Sequence, residues 1–221
     1  MNDVRNFGQN NCSRAACRRG ACFHTTPART GFALIELLVV GLLVVVITTM
    51  YWGYGAGSRR VQEQKACQSN LQKIHMAMEI FANDFGGSFP NVPGAQTSDE
   101  ALYLLVPRYT VDTSIFICPG SKDPPLPAGE SFQKRRISYA YYMGRHPTDA
   151  QEVLMSDRQV DTQAKVPGQT LFSDNGKPPG NNHGAEGGNL LFGDGRVEWN
   201  PAQTPFSLVL TQGVMLLNPK P

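Results

Sequence analysis

Gly31-Phe32-Ala33-Leu34-Ile35-Glu36-Leu37-Leu38-Val39-Val40 opens the stretch that decides how this chain is read. The apolar run continues to Trp52, and among its 21 residues from Phe32 only Glu36 is charged. At about 1.5 Å of rise per residue a helix of that length covers roughly 30 Å, the thickness of a bilayer core. A charge inside such a segment costs about 2.5 kcal/mol or more and marks a functional position by default. Residues 32–52 are therefore expected to form a transmembrane helix, and Glu36 is expected to require a cationic partner.

The flanks of this run give it a direction. The net charge of +2 hides an asymmetry: residues 1–31 carry five Arg and one Asp, and the rest of the chain carries 15 basic and 17 acidic side chains. Positive charge ahead of the run, at Arg14, Arg18, Arg19 and Arg29, keeps the N-terminus in the cytoplasm and sends the C-terminal part across. A cleaved secretory signal would have a shorter apolar region, and Gly55-Ala56-Gly57 is a poor match to its cut site. An uncleaved signal anchor is the better ordinary reading, but it does not explain Glu36. No basic patch with interleaved aromatics is present, so nucleic acid is not an expected partner.

Beyond the run, Gly-Tyr-Gly-Ala-Gly-Ser at 53–58 reads as a joint prone to unwind or bend, since glycine in a helix costs about 1 kcal/mol against Ala. Residues 53–86 are assigned to the extramembrane half of the N-terminal helix, and helical period resumes at Arg59. Cys67, Leu71, Ile74, Met78, Phe81 and Phe85 step along one face, and Arg60, Glu63, Asn70, Lys73 and Asn83 are assigned to the other. His75 lies beside the stripe. Gly86-Gly87 and Pro90 end the helix. Residues 87–221 are long enough for one small domain with its own core. A short helix is expected over 99–105, and strands over 114–118, 137–143 and 170–174. Asn189–Phe192 and Arg196–Trp199 flank Gly193-Asp194-Gly195 as a hairpin. Residues 144–168 read as irregular, 175–188 as a loop, and 206–217 as one more apolar segment.

Gly31, Phe32 and Glu36 in this register resemble the cleavage and methylation segment of type IV prepilins and type II secretion pseudopilins. Ala33 stands where a Thr is common in that family. The resemblance implies a basic leader, residues 1–31, cut after Gly31 by a prepilin peptidase that also methylates the new N-terminus, Phe32. It further implies that Glu36 pairs with the α-amine of a neighbouring subunit and so sets the register of a filament. A carboxylate and an amine four positions apart share one helix face, and buried pairs of this kind are best attested as register devices. The implied place is the bacterial inner membrane, single-pass, with the C-terminal domain on the periplasmic side. The implied fold class is α+β: a long N-terminal helix packed on a small antiparallel sheet. The implied partners are the peptidase and other pilin-like subunits.

His183, Asp194 and Gly195 also resemble the H-x9-DG pattern found near the C-terminus of large sets of bacterial pilin-like proteins, with ten rather than nine residues between His183 and Asp194. The segments around Cys67–Leu71, Asn83–Asp84 and Phe116–Pro119 are similar to that group as well. In an oxidising compartment Cys67 and Cys118 can form a disulfide; two buried thiols are the alternative. Cys12, Cys17 and Cys22 fall in the leader and fit no zinc spacing well. Oxygen-rich loops suit calcium, and the resemblance to major pseudopilins makes Asp174 and Asp194 its candidate ligands; tight-turn chemistry explains the same residues without a metal. No nucleophile elbow, zinc-protease or phosphate-loop motif occurs, so an enzyme is not expected. The leading expectation is a pilin-like structural subunit of a secretion or pilus-like filament. The alternative is a membrane-anchored envelope binding domain with its ligand site in loop 175–188.

Overall fold

The computed structural model describes residues 33–132 and 135–221. Gly31 and Phe32, with the rest of segment 1–31, lie outside the described residues. The chain divides into two compact units, Met1–Thr48 and Thr49–Pro221. In the first, helix α1 (Leu34–Asp84) begins at Leu34, and its apolar side chains are exposed, Leu34 at 84% and Leu42 at 61%. Leu34–Tyr51 is the one described helical stretch long and apolar enough to cross a membrane.

The second unit is built on the remainder of α1. Residues 53–58 are helical rather than unwound, because a glycine weakens the helix but leaves its backbone bonds intact. Cys67, Leu71, Ile74, Met78 and Phe81 are buried at 5% exposure or less, whereas Phe85 remains 53% exposed. Ala77 and Ala82 join the buried face. Asn70, assigned from the sequence to the solvent face, points inward and donates from Nδ2 to the Ile117 carbonyl at 3.1 Å. The helix ends at Asp84, where Gly87 takes φ +82° and its N–H bonds the Ala82 carbonyl at 2.8 Å. Glycine reaches that left-handed geometry without a Cβ clash.

After this come α2 (Ser98–Leu102) and a single 3-10 turn, Tyr103–Leu105. Residues 113–116 form a second 3-10 turn rather than the expected strand. The Asp112 carboxylate caps this turn by accepting from the Ser114 N–H at 3.1 Å, a local side-chain bond that competes with strand pairing. Ile115 and Phe116 are still buried, so the apolar pattern reported depth and not backbone form.

The sheet has five antiparallel strands in the order β4-β3-β2-β1-β5. They are β1 (Tyr139–Met143), β2 (Val153–Asp157), β3 (Gly187–Phe192), β4 (Val197–Pro201) and β5 (Met215–Leu217). The region 144–168 thus holds a central strand, β2, which the sequence reading missed. Every residue of β1, β2 and β3 is buried, because both faces of the sheet are covered. Tyr139, Tyr141 and Leu191 pack toward Leu71, Ile74 and Met78 of α1. Ala140, Tyr142 and Leu190 pack with Leu171, Phe172 and Leu208 on the other side. Residues 170–174 are therefore not a strand. Leu171 and Phe172 lie in irregular backbone that closes the second face. The α+β class stands: an apolar N-terminal helical segment and a mixed unit around an antiparallel sheet.

Ile74 is fully buried at the middle of the α1 face. Ile74→Ala is expected to lower the unfolding free energy by about 2–5 kcal/mol, the range for truncating a large core side chain. Urea denaturation of the detergent-solubilised chain measures it, and a loss below about 1 kcal/mol would mean that this face does not carry the fold.

Candidate functional site

Two places carry the candidate functional residues. The first is the start of α1. Glu36 lies in the first turn, exposed, with its N–H bonded to the Ala33 carbonyl at 2.8 Å. A carboxylate there is favoured by the positive end of the helix dipole, by about 0.3–1 kcal/mol. Among the described residues Glu36 has no ion-pair partner. Its neighbours Leu34, Ile35, Leu37 and Leu38 are all strongly exposed.

The second is a buried polar knot in the folded unit. Cys67 on α1 and Cys118 after the second 3-10 turn are joined by a disulfide with their Cα atoms 5.3 Å apart. His183, in the loop ahead of β3, brings Nε2 to 3.4 Å from Cys118 Sγ and 3.3 Å from Asp157 Oδ2. Its ring meets Trp199 edge-on with centroids 5.3 Å apart. Asp157 is the last residue of β2 and has no solvent exposure. Its Oδ2 accepts from the Asn189 N–H at 2.7 Å and from Asn189 Nδ2 at 2.9 Å. Its Oδ1 accepts from Asn182 Nδ2 at 2.9 Å. Burial pulls the His183 pKa down, but the Asp157 carboxylate, assisted by Glu63 and Glu186, outweighs it and holds the ring above the ordinary value of 6.5. Two cavities flank the knot. One of about 370 Å³ is lined by Arg60, Glu63, Gly120, His183 and Glu186. The other, about 470 Å³, is lined by Lys122, Asp123, Arg136, Arg158, Asn181 and Asn182.

The structure separates the members of the H-x-DG pattern. His183 belongs to the knot, and Asp194 and Gly195 form the turn at the far end of β3. Gly195 takes φ +84°, and a Cβ there would meet the His75 ring at 3.1 Å. His75 Nε2–H donates to the Gly193 carbonyl at 3.0 Å, tying this turn to α1. Asp194 caps the turn by accepting from the Arg196 N–H at 2.9 Å. Asp174 is exposed, beside Ser173, whose N–H bonds the Gly180 carbonyl. The Asp194 N–H bonds the Ala150 carbonyl, at the opposite end of β2 from the 157–160 corner that meets Gly180. Asp174 and Asp194 are therefore not brought together around one cation.

Sequence reading missed Asp157, Asn182 and Asn189, which organise the knot, and the Arg158–Asp123 pair at 3.0 Å beneath the second cavity. The run Val153-Leu154-Met155-Ser156-Asp157 was the available signal: an apolar strand ending in an acid. Compared with known proteins, the chain matches no family model, no curated protein and no solved structure.

The raised His183 pKa has a definite sign. The folded state holds the proton more tightly than the unfolded chain, so the stabilisation is complete below the ordinary value of 6.5 and fades as pH rises through the higher folded value. With the disulfide intact, the urea midpoint is expected to fall between pH 6 and pH 8, and His183→Gln is expected to flatten that fall. An identical slope in the variant would assign the pH dependence to another group.

Proposed function

We propose that the protein is a pilin-like structural subunit. It is processed after Gly31, methylated at Phe32 and assembled through its N-terminal helix into a filament of a type II secretion or type IV pilus-like system. The observation that carries this reading is Glu36: the lone charge of the exposed apolar stretch Leu34–Tyr51, placed in the first turn of α1, five residues after Gly31. An anchor alone has no use for a carboxylate there, and hydrocarbon imposes a cost on it. A newly freed amine at Phe32 of an adjacent subunit supplies the missing cation. The helix face from Cys67 to Phe81, packed on an antiparallel sheet, supports a pilin-like arrangement of the folded unit. Prepilin peptidase, the inner membrane and other pilin-like subunits are the partners this reading requires.

The alternative, a membrane-anchored binding domain, draws on the cavity lined by Asn181, Asn182 and the basic side chains of Lys122, Arg136 and Arg158. Exchanging the anchor for an unrelated transmembrane helix separates the two: a binding domain keeps its function and a filament subunit loses it.

The intact mass and N-terminal sequence of the membrane-extracted protein test the processing step. The expected product begins at Phe32 with one added methyl group; a product beginning at Met1 or near residue 57 would remove the basis for the subunit reading.

Assembly is tested separately. Glu36→Ala is expected to insert and be processed normally but to give at least ten-fold less sheared filament than wild type in an immunoblot. Wild-type filament yield would show that Glu36 is not an assembly residue.

A further inference from the structure

We propose that Cys67, Cys118, Asp157 and His183 form a redox-gated site for a thiophilic divalent cation, with zinc the ion of matching chemistry. One donor atom from each of the four lies within 4.8 Å of the others. They arrive from four separate places: α1, the segment after the second 3-10 turn, the end of β2 and the loop before β3. Convergence of two sulfurs, an imidazole and a carboxylate in a closed interior is the donor set of a tetrahedral zinc centre.

The distances fit that geometry. With Zn–S about 2.3 Å and Zn–N or Zn–O about 2.0–2.1 Å, tetrahedral angles place donor atoms about 3.3–3.8 Å apart. Cys118 Sγ and His183 Nε2 are 3.4 Å apart, and His183 Nε2 and Asp157 Oδ2 are 3.3 Å apart. His183 Nε2 therefore already stands at ligand spacing from two of the other three donors, and all four lie within 4.8 Å of one another. The two sulfurs, bonded to each other, must separate before both can bind. The surroundings suit a metal as well. Asn189 and Asn182 hold the Asp157 carboxylate from both oxygens, and such outer partners fix ligand orientation and raise affinity. The cavity beside His183, with Glu63, Glu186 and Arg60 on its wall and the last paired with Glu186, gives a cation an entry path.

Metal and disulfide exclude each other, and the exchange balances. A dithiol reductant gives two electrons and two protons to the Cys67–Cys118 bond and becomes a disulfide itself. The ion then displaces the two thiol protons to solvent as both sulfurs bind as thiolates. Asp157 binds as carboxylate, and His183 releases any proton on Nε2 to solvent and binds through Nε2 as the neutral ring with its proton on Nδ1. The oxidised chain has no thiolate to offer and takes no ion. The fold is thus cross-linked at the same point in either state, by a covalent bond or by a metal. None of this depends on filament assembly.

The test uses the full-length chain carrying Cys12→Ser, Cys17→Ser and Cys22→Ser, so that leader thiols do not bind metal. The chain is reduced with dithiothreitol, desalted without oxygen and titrated with Co2+ and then Zn2+, with near-ultraviolet circular dichroism to follow folding. The expected result is one equivalent bound by the reduced chain and less than about a tenth by the oxidised chain. The cobalt form should show a thiolate-to-metal charge-transfer band and tetrahedral d–d bands. His183→Ala and Asp157→Asn, each checked for folding in the oxidised form, should bind at least ten-fold more weakly once reduced. Stoichiometric binding unchanged in both variants, no binding by the reduced chain, or unfolding on reduction that zinc does not reverse would each overturn the proposal.

Discussion

The helical register of α1 between Cys67 and Phe81 is the constraint on which the folded unit depends. One turn of an α-helix is 3.6 residues, so Cys67, Leu71, Ile74, Met78 and Phe81 fall on one side, and all are buried. The flanks of the same face carry its polar attachments. Asn70 reaches the Ile117 carbonyl and His75 reaches the Gly193 carbonyl. Cys67 is bonded to Cys118. The helix is thus fixed to the chain before β1 and to the β3–β4 turn as well as to the apolar face of the sheet. A rotation of α1 by one residue, about 100°, would lose the apolar face and all three attachments together.

That register also explains why the buried knot lies where it does. Cys67 opens the buried face, and the disulfide holds the end of the second 3-10 turn against it. Strand β2 delivers Asp157 at its last residue, and pairing of β2 with β3 brings Asn189 alongside. His183 then has little freedom: Asp157, Cys118 and Trp199 meet it from three directions. Burying Asp157 without its donors would cost several kcal/mol, so the asparagines on either side of it are part of the same requirement.

What could be read from the residues, and what could not, follows from the range of the forces involved. The stripe on α1 and the Gly86-Gly87 stop are local, set by period and by backbone freedom, and both are found. The β3–β4 hairpin is local too, fixed by its Asp-Gly turn. Segments 114–118 and 170–174 failed because an apolar run reports burial without reporting backbone form. Ile115 and Phe116 bury from a 3-10 turn, and Leu171 and Phe172 from irregular chain. Strand β2 was missed for the opposite reason, since its five residues sit inside a polar stretch. The knot was half legible: His183 and the two cysteines stood out by type. Asp157 did not, because its partners are 32 and 25 residues distant, at Asn189 and Asn182, and its one local mark is its place at the end of a short apolar run. Asn70 was misplaced because a polar side chain at the edge of a stripe can face either way until a carbonyl is found for it.

At the other end of the chain, the energetics of Glu36 favour the subunit reading over a simple anchor. Exposed side chains from Leu34 to Met50 cannot remain in water at about 25 cal/mol per Å² of apolar surface, so lipid or neighbouring helices must cover them. Once covered, Glu36 carries a desolvation cost of about 2.5 kcal/mol or more, of which the helix dipole returns at most about 2 kcal/mol. The rest needs a cation. The basic residue nearest by sequence is Arg29, ahead of the run. Cleavage after Gly31 would remove that arginine and create an α-amine four positions before Glu36. The new amine sits on the same helix as the carboxylate. It can therefore satisfy its own Glu36 or, where helices stack with an axial offset, that of the next chain. Only the second choice also covers the apolar face, which is why one unpaired carboxylate near the end of an apolar helix favours a filament over a solitary anchor.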